Sequence, residues 1–329
     1  MADPLTGSWG ATASSEPATT RGYVHQLGIH ASDEGFRDLI CPFALGGLDA
    51  GEAVVMAYGP QQVELLQRWL PDVPGLTYVT DMSPYESPAK ALVGWRRLIE
   101  QHLAADAPRV RITGKVPHPG DGRPYAGWDR YEAAVDRALG DLPVWALCLY
   151  DARIAPDDVL ETAAKRHRHF VDPDGRQRAN DSFAPVDCLS DFLTPEADPL
   201  QRTTPTLELI DPMPSNVRAA VSGLGRGVLS GDQCAQLVLA ASEAVANAFV
   251  HGVPPVTVRT WLGEDRVVIT VHDHGTGPTD PLVGLLPRGG ALAECGRGLW
   301  LAHQLNIDVA LIAAGEGFTV RLRAGAAEG

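Results

Sequence analysis

Lysine is nearly missing from this chain. Of 329 residues only Lys90, Lys115 and Lys165 are lysine, and acids outnumber bases 41 to 27, for a net charge of −14. A polyanion needs a basic face to displace its counterions, so this balance argues against a nucleic-acid partner. Every lysine lies before Gln201, so a phosphate bound by the C-terminal part must be held without one. Cysteine is also scarce. Cys41, Cys148, Cys188, Cys234 and Cys295 are odd in number and show no C-x-x-C spacing, which argues against a disulfide framework or a zinc site and for reduced thiols. No apolar run approaches the roughly 18–20 residues of a membrane span. The opening "MADPLTGSWGATASSEPATT" has neither the basic start nor the apolar stretch of a secretory signal. Residues 1–20 read as a disordered tail, and the expectation is a cytoplasmic protein with no membrane partner.

What is present suits two domains, since a chain of this length can bury more than one core. From Gly22 to about Val171, Val-rich apolar runs alternate with helical segments. "EAVVMAYG" precedes "PQQVELLQRWL", "LTYVTD" precedes "SPAKALVGWRRLIEQHL", and "VRITGKV" and "VWALCLYDA" flank "GWDRYEAAVDRALG". That alternation predicts a mostly parallel α/β sheet. Residues 173–204 are polar and rich in Pro and Asp, and read as a linker in which Asp191-Phe192-Leu193 docks. Beyond it, "TLELID", two helices, the hairpin "VTVRTWL–GED–RVVITVHD", a short helix "RGLWLAHQL" and the hairpin "VALIAA–GEG–FTVRLRA" predict one antiparallel sheet against a helical layer. The domains expected are thus 21–172 and 205–329.

The helical stretch "SEAVANAFVHG" carries three polar residues four apart, Glu243, Asn247 and His251. At roughly 100° per residue these span only about 80° of the circumference and project from one stripe. Leu237, Ala241, Val245 and Ala248 form the apolar stripe for the core. Two further motifs follow. In "HDHGTGP", a strand leads to Asp273 and then to Gly275 and Gly277, where backbone can approach a ligand without Cβ atoms. In "CGRGL", Gly296, Arg297 and Gly298 open a short helix whose N–H groups suit phosphate oxygens. His251 reads as a cation at the helix end with Gly252 at C′. His272 and His274 point away from Asp273 and read as a strand-end pair or a metal pair.

In this order the motifs resemble the N, G1 and G2 boxes of the GHKL ATPase superfamily, and most of all the anti-sigma-factor serine kinases, over residues 205–325. The resemblance implies a GHKL (Bergerat) α/β sandwich that binds ATP and Mg²⁺. It implies that Asn247 coordinates Mg²⁺ and Asp273 accepts from the adenine amino group. Gly275 and Gly277 would pass beside the base, Gly296, Arg297 and Gly298 would wrap the phosphates, and Glu243 would be the general base toward a protein serine. The partners implied are a STAS-type anti-sigma antagonist and a sigma factor. A sigma factor would bind near "SNVRAAVSGLGRGVL", with Arg218 the residue to test, although Val217, Val221 and Leu224 recur there at plain packing spacing. Members of the class commonly dimerise, so a homodimer is also allowed. A histidine kinase would need an acceptor box, and "KRHRHF" offers His167 and His169 without its acid and downstream proline. A non-catalytic ATP-holding switch is the alternative to the kinase, and a sensor with both domains as scaffolds is a third reading.

The first domain has the layout of a RecA-like entry, but Tyr58-Gly59-Pro60-Gln61-Gln62 stands where G-K-[ST] would hold phosphate and Mg²⁺. It is not expected to hydrolyse ATP. "YVHQLGIH" and "LCLYDA…HRHF" resemble the MEDS sensory domain over residues 20–172, which implies a degenerate RecA-like fold that perceives an unknown small molecule. His25, Tyr150, Asp151 and His167 are the candidate sensing residues, expected together at the C-terminal edge of the sheet, where ligands usually sit. Asp151 reads equally as a helix N-cap.

Overall fold

The computed structural model describes residues 22–326, apart from 71, 81–84, 86, 123–124, 126, 193, 287–297 and 306. The expected tail, and with it Gly296 and Arg297, lie outside the described residues. In chain order the elements begin β1 (Val24–His30), α1 (Asp33–Asp49), β2 (Ala53–Ala57), α2 (Pro60–Trp69), β3 (Leu76–Val79), α3 (Pro88–Ala104), β4 (Val110–Gly114) and α4 (Trp128–Leu139). They continue with β5 (Val144–Asp151), α5 (Asp157–Arg166), β6 (His169–Val171) and β7 (Gln177–Ala179). The C-terminal part comprises β8 (Leu207–Ile210), α6 (Pro214–Gly225), α7 (Gly231–His251), β9 (Thr257–Leu262), β10 (Arg266–Asp273), α8 (Gly298–Gln304), β11 (Asp308–Ala314) and β12 (Gly317–Gly325). The chain forms two units. One takes residues up to 82, 98–116 and 139–183; the other takes 83–97, 117–138 and 184 onward.

The first unit is built on a sheet of order β3-β2-β4-β5-β1-β6-β7, parallel except for the last pair. All five residues of β2 are buried, as a continuous apolar run in a parallel sheet covered on both faces is. Ser32 starts α1 by accepting from the Gly35 N–H at 3.0 Å, and Asp33 and Glu34 complement the positive helix end. Phe36, Ile40 and Phe43 of α1 then pack with Val63 and Leu66 of α2 on Val54, Met56 and Leu147. In the loop after β2, the Tyr58 hydroxyl is buried against Thr113 Oγ1 at 2.8 Å, and α2 opens on Pro60.

The second unit holds an antiparallel sheet of order β11-β12-β10-β9-β8, one face of which carries the helices. A capping box opens α7. Ser230 Oγ accepts from the Gln233 N–H, and Gln233 Oε1 accepts from the Ser230 N–H at 3.1 Å. Among the described residues, α7 is the one helix long and apolar enough to cross a membrane. Its stripe of Leu237, Ala241, Val245 and Ala248 packs instead into a core with Val258, Ile269, Val320 and Leu322. Each fully buried aliphatic side chain such as Leu237 contributes roughly 1.5–3 kcal/mol. The fold classes expected from sequence, a parallel α/β sheet and then an α/β sandwich, are those observed.

The segment expected to be a linker is packed. Asp198 is 4% exposed and caps a 3₁₀ turn by accepting from the Leu200 N–H, with Arg266 Nε at 3.3 Å and Arg323 Nη1 at 3.7 Å. Phe192 is buried with the Arg130 guanidinium 5.8 Å from its ring. Proline and aspartate here fix turns and ion pairs, whereas their composition suggested solvated chain.

Candidate functional site

The site begins at Asp273, the last residue of β10. Its side chain is 4% exposed, and Oδ1 accepts from the Gly275 N–H at 2.7 Å and the Val253 N–H at 3.2 Å. Two charge-assisted backbone bonds fix the carboxylate in place. Gly252, directly after α7, makes this possible. A Cβ there would lie 2.5 Å from both Asp273 Oδ1 and Ala248 O. Gly252 is extended (φ −87°, ψ −172°), not left-handed, so the expected C′ role is replaced by a close approach to Asp273. Gly277 does need its conformational freedom, with φ +76° and the Phe318 ring 2.6 Å from where a Cβ would stand.

A cavity of about 310 Å³ opens beside Asp273, lined by Asn247, His251, Gly277, Leu299 and Phe318 among others. That lies at the lower end of small-molecule sites, roughly 300–1,000 Å³. Ala244, Val271 and Val320 give it apolar walls, and Asn247 and Asp273 supply polar groups. No lysine or arginine lines it among the described residues.

The structure therefore brings Asn247, Asp273 and Gly277 to one cavity, with Gly275 bonded to Asp273. Glu243 is half-buried one turn before Asn247 but does not line the cavity; a Cβ on Gly298, the first residue of α8, would stand 2.9 Å from its Cβ. Arg218 on α6 donates to Ser242 Oγ at 3.1 Å, on the exposed side of the same turn. The His272 and His274 rings lie 5.1 Å apart, and His272 Nδ1 is 2.9 Å from Thr319 Oγ1. Burial and the neighbouring His274 hold His272 below the usual histidine range. The pair gathers no third metal ligand among the described residues.

Sequence reasoning missed the groups that hold the loop after Gly277. Arg130 on α4 is buried and donates to Pro281 O at 3.0 Å and to Val283 O at 2.8 Å, while Arg137 pairs with Asp280 at 2.8 Å. His303 on α8 is buried beside Gly284, and desolvation pulls it down to about 3, with Arg130 adding to the effect. No sequence signal announces these contacts, because their partners are far apart in the chain.

The four sensory candidates do not form one cluster. His25 and His167 meet, with ring centroids 4.1 Å apart, and Tyr150 is buried in β5. Asp151 lies at the other end of the sheet. In the β1–β5 register it is paired with His30, whereas His25 is paired with Ala146, five residues away or about 16 Å at the rise of a strand. His25 is the second residue of β1, so this group sits toward the N-terminal edge and not the C-terminal one. Asp151 accepts from Arg153, which also reaches Asp33, and the Arg153 hydrogen bond holds its carboxyl below the usual range. It closes a turn with the Arg153 N–H at 2.9 Å; the N-cap of α5 is Pro156.

Residues 24–168 match the model of the MEDS family, the methanogen/methylotroph, DcmR sensory domain. Residues 211–324 match the model of the histidine kinase-like ATPase domain. None of the curated proteins matches the chain. Among solved structures, the blue-light activated histidine kinase EL346 of Erythrobacter litoralis is similar at 20% identity, over 34% of this chain and 40% of that one, with a TM-score of 0.25. The histidine kinase AdeS of Acinetobacter baumannii is similar at 9% identity, over 38% of this chain and 70% of that one, with a TM-score of 0.23. The chain thus spans less than half the length of the first.

Proposed function

Because the chain joins a MEDS domain to a histidine kinase-like ATPase domain, we propose that the C-terminal domain transfers phosphate from ATP to a serine or threonine of a partner protein. The proposed partner is a STAS-type anti-sigma antagonist, with the N-terminal domain controlling the transfer. The carrying observation is the convergence of Asn247 and Asp273 on one apolar-walled cavity flanked by glycines. The walls suit a flat heterocycle. Asp273, held through Oδ1 by two N–H groups, can accept from an adenine amino group and so select the base. Asn247 offers an amide oxygen, a hard uncharged donor that fits Mg²⁺, and is the residue that would hold the ion. When bound, Mg²⁺ neutralises phosphate charge, which matters more in a cavity whose described lining has no lysine or arginine.

In the step itself, Glu243 takes the proton of the partner's hydroxyl as that oxygen attacks the γ-phosphorus. The bond from phosphorus to the β–γ bridging oxygen breaks, and ADP leaves. Arg218, exposed on α6 one bond from Ser242, is the proposed contact for a sigma factor. The position of Glu243, against Gly298 and outside the cavity lining, favours a second reading: an ATP-holding switch that regulates association without transfer. Incubation with γ-labelled ATP and a STAS-type protein separates the two. Label stable to acid on serine or threonine of that protein supports the kinase. ATP binding without transfer supports the switch, and acid-labile label on this chain would establish a histidine kinase instead.

A further inference from the structure

The N-terminal unit buries three side chains that the proposed phosphate transfer does not use. His25 stands near the start of β1, and Cys148 lies in the middle of the adjacent parallel β5. The register pairs Leu27 with Cys148, and alternation along a strand puts His25 on the same face as Leu27. His25 Nε2 therefore reaches Cys148 Sγ at 3.3 Å. His167 follows α5 and enters from the other flank of β1, where β6 pairs with it, so that its ring packs on His25. His25 is 7% exposed and His167 fully buried. The three donor atoms lie within 4.8 Å of one another.

We propose that His25, Cys148 and His167 form a binding site for a borderline-soft divalent transition ion, zinc before others. The donor chemistry selects that class, since one thiolate and two imidazoles are the nitrogen and sulfur ligands such ions prefer over magnesium or calcium. The spacing agrees. Bond lengths of about 2.0–2.1 Å to nitrogen and about 2.3 Å to sulfur give tetrahedral edges of roughly 3.3–3.6 Å. The observed His25–Cys148 separation is already there, and the rest of the trio needs only small side-chain adjustment to close. His167 is also oriented as a ligand would be. Its Nδ1 lies 2.8 Å from Ala163 O, and a carbonyl can only accept, so Nδ1 carries the proton and Nε2 presents its lone pair. On binding, the Cys148 thiol loses its proton to solvent and the thiolate coordinates. Three protein donors leave the fourth position of a tetrahedral ion to a donor outside the trio.

The test uses the untagged, metal-stripped, reduced full-length protein titrated with Co²⁺. The site predicts one equivalent bound, thiolate-to-cobalt charge-transfer absorption, and the intense visible bands of four-coordinate cobalt, all displaced by one equivalent of Zn²⁺. Cys188→Ser, which removes an exposed thiol elsewhere, retains every signal. Cys148→Ser loses the charge-transfer band, and its affinity falls by more than the roughly 10–100-fold typical of losing a supporting group. If Cys148→Ser does not fold, the wild type still decides: one equivalent of Zn²⁺ shields Cys148 from alkylation, read by mass spectrometry, and a chelator removes the shield. Absence of one-equivalent binding, a charge-transfer band that survives in Cys148→Ser, or alkylation of Cys148 indifferent to Zn²⁺ would each overturn the site.

Discussion

Replacing Gly252 by alanine tests the nucleotide reading at a position of the cavity wall that offers no side chain of its own. Its backbone, at φ −87° and ψ −172°, is open to any L-residue, so the substitution adds no conformational strain. The cost is steric. The new Cβ would stand 2.5 Å from Ala248 O and from Asp273 Oδ1, and real Cβ atoms do not come within 3.0 Å of a neighbour. Ala248 O is fixed by the hydrogen bond it accepts from residue 252 at 2.9 Å, so the Asp273 carboxylate is the group that yields. Displacing it breaks its bonds from the Val253 and Gly275 N–H groups and withdraws the acceptor proposed for adenine. One hydrogen bond to a charged group is worth about 1.5–3 kcal/mol, which converts to a loss of roughly 10- to 150-fold in ATP affinity. Discrimination between ATP and GTP should shrink with it. Calorimetric titration of wild type and Gly252→Ala with each nucleotide gives both numbers, and thermal unfolding controls for gross damage. A folded Gly252→Ala variant that binds ATP like the wild type would refute the argument, because Asp273 would then not be what the base meets.

Three further outcomes are expected. Asn247→Ala should abolish Mg·ATP binding in calorimetry, and retained affinity would remove the phosphate-side assignment. Glu243→Gln should leave nucleotide affinity nearly intact while transfer to the partner falls about 10²–10⁴-fold, the usual reach of a general base; unchanged transfer would remove Glu243 from that role. His303, pulled down to about 3 by burial, binds a proton in the unfolded chain well before it does in the folded one. Its contribution is therefore whole above its ordinary value near 6.5 and is lost as pH falls toward 3, at up to about 1.4 kcal/mol per pH unit. His303→Gln should flatten the denaturant-unfolding stability curve between pH 6 and 4, and an unchanged slope would count against a neutral buried imidazole.

The sequence disclosed whatever is local or periodic. The stripe of Leu237, Ala241, Val245 and Ala248 was legible because 3.6-residue spacing survives folding unchanged. The hairpins of the second sheet were legible because Gly-Glu-Asp and Gly-Glu-Gly mark their turns. Asn247 and Asp273 could be put at one site because motif order implied it. What depends on strand order stayed hidden. Cys148 was not joined to His25, 123 positions away, because nothing in the chain says that β1 lies next to β5. Asp151 was grouped with His25 for the same reason, although parallel register carries them to opposite ends. Gly252 looked like a helix terminator, since its true neighbour, Asp273, arrives only after a strand and a hairpin. The Pro- and Asp-rich stretch was taken for solvated chain because composition does not reveal that Arg266 and Arg323 await Asp198.

The anchoring of the 280–286 loop by Arg130 and Arg137 bears on how this protein can be dissected. The two family matches end and begin at 168 and 211, which invites a clone starting near the second. Such a fragment would keep every residue of the cavity wall yet leave the Pro281 and Val283 carbonyls without their guanidinium donor and Asp280 without Arg137. Its behaviour would describe a loop cut from its moorings, so inactivity in that fragment would say little about the intact chain.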